Sequence, residues 1–180
     1  GCKEDEFLAL GKDKEGYLFP DTYFFLPTAR ASEVIKAMEN NFKNKIRAVD
    51  VDIKNFGKPL QDVITMASII EGEASKFDDR RTIAGILWKR LEIGLLLQVD
   101  VAFKYVNGKT TFSISKDDLK IDSPYNTYLY KGLPPTPINN PGLEAIKAAI
   151  TPIKTPYLFY LSDPKGNFHY ARDHDGHVLN

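Results

Sequence analysis

The segment from Leu60 to about Ala74 constrains the fold more than any other, because it is apolar on nearly every side when it is drawn as a helix. A helix on a protein surface has one apolar and one polar face, whereas a helix that is apolar all round is buried. A second helix is predicted over residues 78–93, with Asp78 as its N-cap and Gly94 at its end. We therefore expect a buried central helix with other helices packed around it.

A β-hairpin is predicted near the C-terminus. Aromatic runs at residues 157–161 and 168–170 flank the sequence Asp-Pro-Lys-Gly at 163–166, which is typical of a tight turn. Before the hairpin, residues 121–141 contain five prolines and many tyrosines and asparagines, and this composition predicts a long loop without regular structure. The fold class that we predict is α+β, with helices packed around a small mixed or antiparallel sheet.

Charge and composition exclude some classes of function. The 180 residues include 24 lysines and arginines and 24 aspartates and glutamates, so the net charge is zero; nucleic-acid-binding domains usually carry a basic excess. The single cysteine excludes an intramolecular disulfide and a zinc site made of several cysteines. The sequence contains no HExxH motif and no glycine-rich phosphate loop. It therefore predicts no metal, no cofactor and no nucleic-acid partner.

One acidic residue lies where an apolar residue is expected. Residues three and four apart on a helix share a face, and Glu71 falls on a line that otherwise consists of Leu60, Ile64, Ala67 and Ala74. A carboxyl group buried among apolar side chains has a raised pKa, which a general acid needs near neutral pH. Glu73 lies about 200° further round, on a more polar stripe. We predict Glu71 as the acid; the alternative is that it pairs with a buried arginine or caps a neighbouring helix.

The loop at 121–141 carries the residue types that sugars need for binding. Tyr125, Asn126 and Tyr128 combine amide and hydroxyl groups with aromatic faces, and sugars bind such a mixture through their hydroxyls and C–H surfaces. Gln98 and Asp100 flank an apolar run and are predicted to point into the same cleft. Two alternatives stay open: the loop is a rigid strap over the core, and Gln98 ends a strand and bonds to backbone.

Several motifs occur in one order along nearly the whole chain. They are EGYLFPDTY at residues 15–23, MASIIEGEA at 66–74, AGILWKRLEIG at 84–94, LQVD at 97–100, SPYNTY at 123–128, GLPPTPI at 132–138, NPG at 140–142 and AAITP at 148–152. In this order they resemble the YceG-like endolytic murein transglycosylases, the MltG family. Val99 and Val101 depart from the family's LQ[ST]DPT pattern.

The resemblance implies a bacterial lytic transglycosylase. Such an enzyme cleaves nascent peptidoglycan strands between N-acetylmuramic acid and N-acetylglucosamine, leaves 1,6-anhydro ends and uses no cofactor. The family's catalytic glutamate, taken as the first of its ASI[IV]ExE segment, falls on Glu71. We further predict Glu73, Asp100 and Tyr125 as candidates that stabilise positive charge on the sugar. The residues predicted to contact the substrate are Gln98, Tyr125, Asn126 and Tyr128.

The resemblance also implies a domain organisation and a location. Family members usually carry an N-terminal membrane helix and a LysM-like subdomain. We therefore predict that residues 1–14 are the end of such a subdomain and that residues 15–180 are the catalytic domain. That domain is expected on the outer, periplasmic or extracellular, face of the bacterial cell membrane, with cell-wall synthesis proteins as further candidate partners. The alternatives are a non-catalytic glycan-binding or scaffold module and a lysozyme-like hydrolase.

Overall fold

The computed structural model describes residues 1–110 and 113–179, and within them the chain forms eight α-helices and one two-stranded antiparallel sheet. The helices are α1 (Glu4–Gly11), α2 (Ala31–Arg47), α3 (Asp50–Phe56), α4 (Leu60–Glu73), α5 (Phe77–Glu92), α6 (Phe103–Asn107), α7 (Leu143–Ile150) and α8 (His174–Leu179). The strands are β1 (Phe159–Ser162) and β2 (Phe168–Ala171). Short 3-10 turns lie at Asp100–Ala102 and Asp118–Lys120. The α+β prediction is confirmed.

Helix α4 forms the centre of the core, as its apolar sequence predicts. Every residue from Val63 to Ile70 is buried, and α4 packs against α5 and α7. Each fully buried isoleucine of this helix contributes roughly 1.5–3 kcal/mol of transfer free energy. The Trp88 indole N–H on α5 donates to the Ala149 carbonyl on α7 over 2.8 Å, so the two helices that cover α4 are also joined to each other.

The predicted hairpin is present at the C-terminus. Tyr160 pairs with Tyr170 and Ser162 with Phe168, and because paired residues of adjacent strands share a face, Tyr160, Phe168 and Tyr170 lie on one side. Phe159 lies on the other side and stacks on the His177 ring of α8 at 5.3 Å between centroids. The hairpin therefore presents one aromatic face to the helical core and holds α8 on the opposite face.

Two details of the helix boundaries differ from the prediction. Helix α5 begins at Phe77 with Lys76 as its N-cap, so Asp78 lies in the first turn and contacts Arg81 instead of capping. The short helices α1, α3 and α8 were not predicted, because six to eight residues are too few for a helical repeat of apolar residues to stand out. Helix α1 packs against α2, and the domain boundary at residue 14 stays a prediction. Among the described residues, we find no helix with the length and apolar character needed to cross a membrane.

The segment 121–141 contains no helix or strand, as predicted. Its end is fixed to the core, because the Asn139 amide donates to the Ser68 carbonyl of α4 and the Asn140 side-chain oxygen accepts from the backbone N–H groups of Gly16 and Leu18. This loop crosses the surface of α4 and joins it to the N-terminal segment.

Candidate active site

The C-terminal turn of α4 carries both glutamates that the sequence singles out. Gly72 lies between Glu71 and Glu73, and a Cβ atom at Gly72 would lie 3.0 Å from Cγ1 of Val101. The missing side chain therefore lets the Asp100–Ala102 turn pack directly on the end of the helix. This close approach explains how Asp100 comes to lie beside Glu73.

Glu73 is half-buried at the end of α4. Burial raises the pKa of its carboxyl group to about 7, since removal from water disfavours the charged form. The Tyr160 hydroxyl of β1 offsets part of this rise as a hydrogen-bond partner, and the negative charge of Asp100 adds to it. At neutral pH this carboxyl group is populated in both its protonated and its ionised form, which is the property of a group that gives and takes protons.

A second carboxylate lies next to Glu73 and is held by a tyrosine. The Tyr128 hydroxyl donates a hydrogen bond of 2.6 Å to Oδ1 of Asp100. Burial first, and then this bond to Asp100, raise the pKa of Tyr128, as burial raises that of Tyr160. Both phenols therefore remain protonated donors. Glu73, Asp100, Tyr128 and Tyr160 are called the Glu73 cluster below.

Gln98 and Arg90 lie at the edge of the Glu73 cluster. Gln98 is exposed and has a φ of 52°, and it is the one residue other than glycine with positive φ in the described part of the chain. Such strained backbone conformations concentrate at functional sites. The Gln98 backbone N–H donates to the Thr127 carbonyl, but no strand ends at Gln98, and its side-chain oxygen accepts 2.6 Å from Nη2 of Arg90. Arg90 is 6% exposed, and its guanidinium lies 5.2 Å from the centre of the Phe159 ring.

Glu71 lies in a different environment, in which both of its carboxylate oxygens have donors. Oε1 accepts 2.7 Å from Nη2 of Arg80, which is 8% exposed, and Oε2 accepts 2.9 Å from the backbone N–H of Gly142. Gly142 is the N-cap residue of α7. The alternative that the sequence left open, a buried arginine partner together with a neighbouring helix N-terminus, is thus what the structure contains. The prediction of Glu71 as the acid is not tested by these contacts, but they occupy the oxygens that the role would require.

The loop residues Tyr125 and Asn126 do not join the Glu73 cluster. Tyr125 is half-buried, with its hydroxyl 2.7 Å from Oγ1 of Thr136 and its ring 5.2 Å from that of Tyr105. Asn126 is fully buried, and its amide group donates to the carbonyls of Leu119 and Ile121. The predicted substrate contact of Asn126 is corrected here, because a side chain that is sealed inside the loop cannot reach a ligand.

Sequence reasoning missed Tyr160, Arg90 and Arg80. Tyr160 is an ordinary aromatic residue within a predicted strand, and nothing in that pattern connects it to α4. The two arginines could have been noticed, because each lies on the same helix face as apolar residues that are predicted to point into the core. Within the described residues, no three His, Cys, Asp or Glu side chains come together to hold a metal ion. A groove of about 540 Å³ lies elsewhere, between Trp88, Lys89 and Lys154, and is not lined by the Glu73 cluster.

Comparison with known proteins agrees with the resemblance in sequence. The endolytic murein transglycosylase of Bacillus subtilis (strain 168) is 38% identical over 159 residues, which cover 88% of this chain and 44% of that protein. The protein of the same name from Streptococcus pneumoniae serotype 2 is 34% identical over 172 residues, which cover 92% of this chain and 31% of that protein. The chain thus spans less than half the length of these curated relatives.

Structural and family comparisons extend this agreement to the fold. A 2.6 Å crystal structure of a yceG-like protein from Listeria monocytogenes superposes with a TM-score of 0.87 at 31% identity, and the match covers 98% of this chain and 64% of that one. The family model described as YceG-like matches residues 2–180. Because this match extends over almost the full sequence and is supported by relatives above 30% identity, the chain belongs to the YceG-like family.

Proposed function

We propose that the chain is the catalytic domain of an endolytic lytic transglycosylase, with Glu73 as its acid and base. The observation that carries the proposal is the position of the Glu73 carboxyl group, half-buried between Tyr160 and Asp100 with its pKa raised to about 7. The names of the relatives support the substrate class, which is the murein strand. A general acid contributes most when its pKa lies near the working pH.

The reaction needs two proton transfers, and one carboxyl group serves both. Protonated Glu73 donates to the glycosidic oxygen while the bond from that oxygen to C1 of N-acetylmuramic acid breaks. The Glu73 carboxylate then takes the proton from the C6 hydroxyl of the same sugar, while the oxygen of that hydroxyl forms a bond to C1. The products are a 1,6-anhydro end and a free hydroxyl on the leaving sugar, and no water is consumed. Attack within one ring is favoured, since well-oriented intramolecular nucleophiles reach effective molarities of about 10⁵–10⁸ M.

The remaining members of the Glu73 cluster supply charge and orientation. The Asp100 carboxylate stabilises the positive charge that develops on the sugar ring, and the Tyr128 hydroxyl holds this carboxylate in place. The Tyr160 hydroxyl favours the ionised form of Glu73 and so counteracts part of the rise in its pKa. The exposed Gln98 side chain lies at the open edge and contacts the glycan strand. Tyr125 remains a predicted substrate contact further along the loop.

The choice of Glu73 over Glu71 follows from the donors around each side chain. One oxygen of Glu71 accepts from Arg80 and the other accepts from the Gly142 N–H. Glu71 would therefore have to break an ion pair before it could protonate a glycosidic oxygen. Glu73 lies instead next to a second carboxylate and two protonated phenols. This environment favours a carboxyl group that carries a proton, whereas that of Glu71 favours a fixed structural contact.

The substrate also fixes where the domain works. Peptidoglycan lies outside the cell membrane, so we place this domain on the periplasmic or extracellular face. Anchoring by an N-terminal helix and contacts with cell-wall synthesis proteins remain predictions from the family resemblance.

The test is digestion of purified glycan strands by the wild-type chain, Glu73→Gln, Glu71→Gln and the control Glu92→Gln, which changes an exposed glutamate at the end of α5. Glu73→Gln is expected to lose about 10²–10⁴-fold in rate, as loss of a general acid does, and the control is expected to keep the wild-type rate. Mass spectrometry of the wild-type products should show anhydro ends. Wild-type activity in Glu73→Gln would overturn the proposal. If, in addition, Glu71→Gln were folded but inactive, Glu71 would be identified as the acid.

The same assay separates the two other functions. Asp100 provides a second carboxylate beside Glu73, and a pair of carboxylates is also the machinery of glycoside hydrolases. Reducing ends in place of anhydro ends would therefore identify a lysozyme-like hydrolase. Binding of glycan strands without any cleavage would identify a non-catalytic glycan-binding module.

A further inference from the structure

The Arg80 side chain forms hydrogen bonds at both ends of the last turn of α4. Arg80 lies in the first turn of α5 and reaches back to α4, where its Nε donates 2.7 Å to the Ala74 carbonyl and its Nη2 donates 2.7 Å to Oε1 of Glu71. Glu73 lies between these two contacts in the sequence. A single planar group thus binds the backbone carbonyl of Ala74 on one side of the proposed acid and the side-chain carboxylate of Glu71 on the other.

Glu71 extends this contact to a third helix. Its second carboxylate oxygen accepts the Gly142 N–H at the start of α7, and a Cβ atom at Gly142 would lie 3.4 Å from that oxygen. Helices α4, α5 and α7 therefore meet at one ion pair. Glu71 and Arg80 are called the clamp below.

The clamp meets a specific need of the helix end. The last carbonyl groups of an α-helix have no partner within the helix, so its final turn frays unless other groups bind it. The Ala74 N–H makes the last helical bond, to the Ile70 carbonyl at 3.2 Å, and the Ala74 carbonyl is bound by Arg80. A frayed turn would let the Glu73 side chain swing into water and away from Tyr160 and Asp100.

An ion pair of this kind is a poor way to gain stability alone. Removing charges from water is costly, and hydrophobic replacements of buried ion pairs are often neutral or stabilising. A guanidinium does, however, fix direction, because its donors form a rigid planar fork. The geometry of Arg80, with one donor on the backbone and one on a carboxylate, uses that property.

We propose that Arg80 and Glu71 are positioning residues, which hold the last turn of α4 so that the Glu73 carboxyl group stays between Tyr160 and Asp100. The inference rests on the proposed function of Glu73. It gives the first glutamate of the segment a role distinct from acid catalysis: Glu71 acts on the reaction only through the position of Glu73.

Two variants of the clamp and one control test the inference. Arg80→Lys keeps the charge but loses the fork, and Glu71→Gln keeps the shape and an acceptor oxygen in case the arginine variant fails to fold. Arg81→Gln is the control, because Arg81 is the next residue on α5 and its Nε donates to the Thr151 carbonyl, far from the clamp's contacts. Loss of stability alone would affect the control as well.

The first measurement is the pKa of Glu73, determined by NMR titration of a protein sample that is labelled at the glutamate side-chain carbons. The groups that face Glu73 are Tyr160, Asp100 and Tyr128, and all three are unchanged in these variants. We expect the Glu73 pKa to fall from about 7 towards 4.5, the ordinary value of a glutamate, in either clamp variant and to stay at about 7 in Arg81→Gln. An unchanged Glu73 pKa in the folded clamp variants would overturn the inference.

The second measurement is the pH dependence of strand cleavage. In the clamp variants kcat should fall roughly 10–100-fold, while KM should stay within about threefold of the wild-type value. The alkaline limb of the pH profile should move to lower pH. A clamp that served stability alone would leave that limb where it is. Absence of cleavage by the wild-type chain would contradict the proposed function instead, and the NMR titration would still decide the role of the clamp.

Discussion

Glu71 and Glu73 lie two positions apart on the last turn of α4, yet their carboxyl groups have opposite environments: Glu71 is paired with Arg80 at 2.7 Å, whereas Glu73 lies beside the acidic Asp100. A helix separates such residues by about 200°, so neighbouring positions contact different elements. The side facing α5 and α7 supplies donors, and the side facing the Asp100 turn and the hairpin supplies acceptors and phenols. One short segment thereby provides both an ion pair between helices and a carboxyl group whose pKa is raised to about 7.

The raised pKa of Glu73 predicts a pH-dependent cost in stability. In the folded chain the Glu73 pKa is about 7, whereas the ordinary pKa of a glutamate is 4.5. The free energy of unfolding should therefore fall as pH rises through this interval. Glu73→Gln removes the titration. Relative to the wild type, the variant should gain about 1–3 kcal/mol between pH 4 and pH 8, less than the full shift implies because the side chain retains some solvent contact.

Denaturant unfolding at several pH values measures this gain. Glu92→Gln is the matched control, because it removes an exposed glutamate at a helix end, and its stability should follow that of the wild type at every pH. Parallel curves for Glu73→Gln and the wild type would show that Glu73 titrates as an ordinary glutamate.

The hydrogen bond from Tyr128 to Asp100 predicts a selective loss of activity. Tyr128→Phe removes the donor at 2.6 Å and leaves the half-buried carboxylate without it. A hydrogen bond to a charged group is worth about 1.5–3 kcal/mol, so strand cleavage should slow roughly 10-fold or more. Tyr130→Phe removes the equivalent bond to Asp122 at an exposed position and should leave the rate unchanged. Equal rates for the two variants would remove Asp100 from the proposed mechanism.

How much the sequence could predict depended on whether the signal was local. The buried helix 60–74 and the hairpin were predicted correctly, because apolar content and turn residues mark them within a few positions. The environment of Glu73 could not be predicted, since the groups that act on its pKa, Tyr160 and Asp100, are both distant in the sequence. Helical periodicity shows which residues share a face, but it does not show which element covers that face.

The same limit explains the correction at Asn126. A polar residue between two tyrosines in a proline-rich loop has the composition of a sugar contact, and only the path of the loop shows that its amide turns inward. Asn126→Ala should therefore lower the free energy of unfolding by about 2–4 kcal/mol, because it strands two carbonyl acceptors and opens a cavity. Thermal unfolding measures the loss. The folded variant should keep the wild-type KM for glycan strands, and a raised KM without loss of stability would restore Asn126 as a substrate contact.

The close approach at Gly72 gives a prediction in which activity and stability move apart. Gly72→Ala should improve the helix by up to about 1 kcal/mol, but the new methyl group would lie 3.0 Å from Val101 and would push the Asp100 turn away from α4. Because displacements of about 1 Å can cost up to 10²-fold in rate, we expect cleavage to slow roughly 10-fold. Adding Val101→Ala makes room for the methyl group and should restore most of the rate. Gly11→Ala, whose Cβ would meet ordinary contacts of 3.5 Å with Ile35 and 3.6 Å with Leu18, is the control and should keep full activity. If the double variant is no faster than Gly72→Ala alone, the distance between α4 and the Asp100 turn does not limit the reaction.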